Sequence, residues 1–223
     1  MKSFAPEIKT VVKSKQPVPD KAIFWAAQTG YGNLPNGDRN SFPEMRAIAE
    51  RYSAEKPNPL ATFGEAVAQA QNRVLLIDQY LLNPDKGNRQ DRIDHILRWM
   101  PETILANDIR FLTKSHNTNG NKEVDNDLAK KFQEHAEIIN TLRSKGGGKC
   151  VIEVRFTLTQ NFDYIHDRFA IIDDELWHFG ATVGGFHSQV SAATRGWRAS
   201  DHGAVDFFEL AWNAKPQMGK ILK

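Results

Sequence analysis

The stretch from Tyr164 to Thr182 concentrates both the strand signal and the reactive groups of the chain, and the rest has to fold around it. Phe169, Ile171 and Trp177 supply aromatic and β-branched bulk, and Asp173-Asp174-Glu175 interrupts the apolar run, so the stretch predicts a β-hairpin with a short acidic turn. Alternation along a strand puts His166 and Arg168 on one face and Asp167 and Phe169 on the other. A neutral imidazole can attack phosphorus or move a proton near neutral pH, and a guanidinium can hold two phosphate oxygens in its planar fork. The pair therefore suits a phosphodiester. The same tripeptide also occurs as half-exposed strand residues pairing with surface carboxylates, and His-x-Arg alone does not choose between the two.

The segments around the hairpin alternate between helix and strand. Ala22 to Ala27 reads as a short strand, followed by a turn-rich loop with Gly30, Gly32, Pro35 and Gly37 that lacks a phosphate-loop pattern. Phe42 to Ala54 reads as a helix with Met45, Ile48, Ala49 and Tyr52 on one stripe. Pro57 and Pro59 then break the chain, and the domain boundary is expected there. This divides the chain into an N-terminal extension over 1–58, a main domain over 59–215 and a tail over 216–223. Beyond the boundary the pattern predicts a helix over 63–71, a buried strand over 73–81, a helix over 91–99, a strand over 108–113 and a long helix over 126–145. A strand over 150–158, the hairpin, a polar loop over 184–196 and a final apolar segment over 205–212 complete it. Asp78 and Tyr80, at the end of the second strand, are candidates to line a cleft, as is His187 in the polar loop.

The run His166-x-Arg168-x4-Asp173, then six residues and Gly180-Ala181-Thr182-Val183, resembles the half-site of the phospholipase D (PLD) superfamily. Its members usually read His-x-Lys-x4-Asp, then six residues, then Gly-Ser-x-Asn. The unit "helix, then Val74-Leu75-Leu76-Ile77-Asp78-Gln79-Tyr80-Leu81" is similar to the opening of that fold. The resemblance implies an α/β fold, a PLD-like mixed sheet of roughly six strands with helices on both faces. It also implies His166 as nucleophile or acid/base partner, Arg168 as the phosphate-binding cation and Asp173 as the carboxylate that orients them. Arg stands for the family's Lys, Ala181 for its Ser and Val183 for its Asn. Thr182 offers a hydroxyl one residue from the Ser position and is the candidate second phosphate contact. His-Asp-Arg-Phe followed by Ile-Ile-Asp-Asp also looks like a divergent branch of PLD-like domains found in bacterial and mobile-element proteins.

The resemblance implies a metal-independent phosphodiesterase, a nuclease above all, that needs no cofactor. No internal repeat supplies a second half-site, so a complete site calls for a homodimer. The alternative is a PLD-like binding module that has kept the anion-holding Arg168 and lost turnover, serving nucleic acid, phospholipid or a protein partner. A net charge of +2 permits a local basic stripe for nucleic acid but does not demand one. Lysines at 2, 9, 13, 15 and 21 make a basic arm, read either as a flexible arm or as a nucleic-acid- or partner-binding one. No apolar run approaches the roughly 20 residues that span a bilayer, the start lacks the apolar core of a secretory signal, and cytoplasmic residence is the expectation. The single cysteine, Cys150, opens an apolar strand and is expected to be a buried, inert thiol. His166, Asp167, Asp173, Asp174, His178 and His187 are ligand types without a standard metal spacing, and no metal site is expected.

Overall fold

The computed structural model describes residues 17–27, 30–31, 45–54, 59–83, 89–115, 123–143, 148–158, 165–189 and 191–214. Lys2, Lys9, Lys13, Lys15, His116, Gly146, Gly147, Tyr164 and the tail over 216–223 lie outside them. The strands are β1 (Ala22–Ala27), β2 (Gly30–Tyr31), β3 (Arg73–Ile77), β4 (Asp108–Leu112), β5 (Val151–Arg155), β6 (Arg168–Ile172), β7 (Glu175–Phe179) and β8 (Ala192–Arg198). The helices are α1 (Met45–Ser53), α2 (Ala61–Ala68), α3 (Arg89–Arg98), α4 (Glu123–Leu142) and α5 (Ala204–Asn213).

The strands make one mixed sheet of eight, in the order β2-β1-β8-β7-β6-β3-β4-β5. The pairs β3–β4 and β4–β5 are parallel and the remaining pairs antiparallel. Val74, Leu75, Leu76 and Ile77 are all fully buried, as a strand covered on both faces requires. Alternation then sorts them. Val74 and Leu76 join Phe63 and Val67 of α2, Ile93 and Ile96 of α3 and Phe132 and Ile139 of α4 on one face. Leu75 and Ile77 join Phe169, Ile171 and the α5 residues Phe208, Ala211 and Trp212 on the other. This is the expected α/β architecture, with helices on both faces.

Several expectations are corrected. The sheet runs across the boundary expected at residue 58, because β1 pairs with β8 and sends Phe24 into the core 5.9 Å from Trp177. Residues 192–196, read as part of a polar loop, belong to β8 between β7 and β1. Helix α1 leaves Met45, Ala49 and Tyr52 exposed and buries Arg51, whose Nη2 donates to the carbonyls of Gly185 at 2.9 Å and His187 at 3.0 Å. On α4, Ile138 and Leu142 face outward while Leu128, Phe132, Ala136 and Ile139 are buried. Cys150 is a buried free thiol. Among the described residues, no helix is long and apolar enough to cross a membrane.

Candidate functional site

Strand register decides which candidates meet. Ile77 lies opposite Phe169, and Arg168 lies opposite Phe179. One end of the sheet therefore gathers the C-terminal ends of β3, β4 and β7 with the start of β6. Asp78, Tyr80, His166, Arg168, Gly180 and Thr182, far apart in sequence, come to this end. Asp173 does not. It occupies the β6–β7 turn at the opposite end of β6, roughly 16 Å along the strand from Arg168.

Asp173 is engaged there by backbone. Its Oδ2 accepts from the Gln71 amide at 2.9 Å, and its Oδ1 accepts from Asn72 at 2.7 Å and Arg73 at 3.1 Å. Arg73 Nε donates to the Asp173 carbonyl at 2.7 Å. Among the described residues, Asp173 is also the non-glycine residue with positive φ, 55°, which Asp tolerates better than most side chains. It pins the hairpin turn to the start of β3, so the structure does not bring the carboxylate expected to orient the basic groups next to them.

The carboxylate beside Arg168 is that of Asp78. Its carboxylate is fully buried, accepts from the Tyr80 and Val183 amides at 2.7 Å each, and lies 3.6 Å from Arg168 Nε. Burial pushes the Asp78 carboxyl up to about 6, against the two amides and the Arg168 and Arg92 charges, which pull it down. Arg168 is held from three sides: Asp78, the Gly180 carbonyl 3.2 Å from its Nη1, and the Tyr80 ring 5.1 Å from its guanidinium carbon. Lys114, just beyond β4, places its ammonium 4.2 Å from the centroid of the same ring. Tyr80 thus holds two cations at one strand end, and desolvated contacts of this kind restrain the cations as well as stabilise them.

His166 points elsewhere. Regular strand geometry begins only at Arg168, and His166 lines a groove of about 740 Å³ on the α5 side of the sheet with Asp167, Phe169, His178, His202 and Phe207. Arg168 turns to the other side, so the expectation of a common face is overturned. His178 Nε2 and Asp167 Oδ1 are 3.6 Å apart on the groove rim. Among the described residues, no three His, Cys, Asp or Glu side chains converge closely enough to hold a metal ion.

The segment after β7 follows a tight course over the sheet end. Thr182 is buried, and its carbonyl accepts from the Gly185 amide at 3.0 Å. Gly184 has φ of 78°, and a Cβ there would stand 2.4 Å from the Trp99 ring, so both conformation and space demand glycine. His187 is buried rather than cleft-lining, with Nδ1 2.8 Å from the Gln189 carbonyl. Arg92, buried on α3, donates to the Tyr80, Asn83 and Phe186 carbonyls and ties this segment to the residues after β3. Sequence reasoning missed Lys114, Arg51 and Arg92. The only signal was a charged residue beside an apolar helix stripe, as Arg92 is beside Ile93.

No protein-family model matches the chain, and no curated protein matches it. Similar solved structures include phosphatidylserine synthase of Haemophilus influenzae Rd KW20, at 14% identity and a TM-score of 0.41, covering 67% of this chain and 33% of that one. TrmBL2, an archaeal chromatin protein described as having a novel mode of DNA binding, is similar at 12% identity and a TM-score of 0.37, covering 92% of this chain and 54% of that one. The chain therefore spans about a third and about half of the length of these two proteins.

Proposed function

We propose that the sheet end around Asp78 and Arg168 is a phosphodiester site, and that the chain is a PLD-like phosphodiesterase acting on nucleic acid as a homodimer. One observation carries this reading: Arg168, Lys114 and Tyr80 meet at one strand end from three separate strand termini, with His166 two residues from Arg168 on an open groove. Asp78 and the Gly180 carbonyl fix the Arg168 fork, which costs less entropy on binding than a free side chain would. The Arg168 guanidinium and the Lys114 ammonium are the donors proposed for the nonbridging oxygens.

In the reaction His166 attacks phosphorus, and the leaving ester oxygen takes a proton from the imidazolium of His166 in the second copy. Water then attacks the phosphohistidine, gives its proton to that second imidazole and releases His166. His166 opens onto the groove and Arg168 onto the other side of β6, so the mechanism requires His166, which precedes the regular strand, to swing toward the Arg168 side. There Arg168 neutralises charge on the nonbridging oxygens in both steps. The mechanism draws on no metal.

A second reading is a binding module without turnover. It is favoured by the divergence of His166 and Arg168 and by Val183, which offers only a backbone N–H where the family has an Asn, and gives that N–H to Asp78. Both readings are tested by hydrolysis of single- and double-stranded nucleic acid and of a chromogenic diester in EDTA, comparing wild type with His166→Ala, alongside sedimentation. Chelator-resistant activity from a dimer, abolished in the variant, supports the enzyme. Anion binding without hydrolysis supports the module.

A further inference from the structure

We propose that the groove on the α5 side is a base-binding subsite, which makes single-stranded nucleic acid the ligand of the phosphodiester site; this rests on the phosphodiester reading above. The groove holds about 740 Å³ and is lined by His166 and Asp167, the residues that lead into Arg168, so it opens beside the same sheet end. Its wall is aromatic. Phe207 of α5 is 37% exposed, and its ring centroid lies 5.9 Å from that of Phe169, with the planes inclined by 50°. Phe207 is thus a half-open platform backed by a buried ring, the arrangement on which an unstacked base can lie.

The charge pattern separates base from backbone. Among the described residues, no Lys or Arg lines the groove, and the Asp167 carboxylate stands on its rim. A sugar-phosphate strand would be repelled from it and drawn to Arg168 and Lys114 on the other side. A neutral base meets no such penalty, and His178, His202 and Asp167 offer donors and acceptors to its edge. An acyl chain would use the Phe207 wall but leave those rim groups without partners. Bases paired inside a duplex cannot reach the wall, whereas splayed single-stranded ones can.

The test is fluorescence anisotropy in EDTA at low salt, with a short labelled single-stranded oligonucleotide and an abasic strand of the same length and charge. Wild type is expected to bind the base-bearing strand about ten-fold or more tighter. Phe207→Ala should close that gap and Phe207→Trp should keep it, with circular dichroism confirming that both are folded. Equal affinity of wild type for the two strands overturns the base subsite while leaving the phosphodiester reading intact. A gap that survives in Phe207→Ala overturns it too. Loss of binding to phosphatidylglycerol vesicles in that variant, with the oligonucleotide gap unchanged, would assign the wall to lipid instead. Failure of both strands to bind at all removes the phosphodiester reading itself.

Discussion

Asp173 gives the sharpest contrast between a catalytic and a structural carboxylate. Replacing it with Asn keeps one oxygen for the Asn72 and Arg73 amides but turns an NH2 toward the Gln71 N–H, which then loses its 2.9 Å acceptor. A hydrogen bond to a charged group contributes about 1.5–3 kcal/mol, and Gln71 is exposed enough for water to recover part of it, so Asp173→Asn should cost about 1–2 kcal/mol. Asp173→Ala removes all three acceptors and leaves a side chain less suited to φ of 55°, for about 3–5 kcal/mol. Urea denaturation measures both, and phosphate-ligand affinity or turnover of the folded fraction, below the transition, measures the site. Because the carboxylate sits at the far end of β6, activity per folded molecule should be unchanged. An Asp173→Asn protein with the wild-type midpoint and lost activity would refute the structural role.

Other perturbations read other parts of the structure. Gly196 has φ of 96°, and a Cβ there would lie 2.5 Å from the Lys21 backbone, so Gly196→Ala should part β1 from β8 and lower stability by about 2–4 kcal/mol in denaturant titration. An unaltered midpoint would remove β1 from the sheet. The Asp78 carboxyl rises to about 6 on folding, so the native state takes up its proton first, and stability from this group grows as pH falls through 6 and is lost as pH rises through it. Relative to Asp78→Asn, wild type should gain about 2 kcal/mol between pH 7 and 4.5, read from denaturation at each pH. Over the same window Arg168 is released from its ion pair, so phosphate affinity should rise toward acid in wild type more than in Asp78→Asn. Arg168→Ala should weaken phosphate-ligand binding by about ten-fold or more in calorimetry, with Arg168→Lys in between.

The hairpin, β3, β4 and α4 were legible because their signals are local: apolar runs, alternation and helical spacing fall within single segments. Strand β8 was not. Ala192–Arg198 carries small and charged residues and a positive-φ glycine, and becomes a strand only because β7 and β1 flank it, one of them from near the other end of the sequence. The same limit governs the site. Spacing singled out His166 and Arg168, but the alternation rule put them on one face only by assuming strand geometry before Arg168. Asp78 rather than Asp173 lies beside Arg168 because the partners of each, Arg168 for one and the 71–73 amides for the other, are set by tertiary register. Arg51 and Arg92 read as ordinary helix charges until the carbonyls they serve are folded over them.

The most direct test of a phosphodiesterase site built on His166 is a rapid acid-free quench with bis(p-nitrophenyl) phosphate in EDTA, followed by peptide mass spectrometry. A nitrophenyl phosphoryl adduct on His166, with neither His178 nor His202 labelled and the adduct lost in Arg168→Ala, is the expected result. Turnover that persists in His166→Ala, or an adduct on another residue, would contradict it.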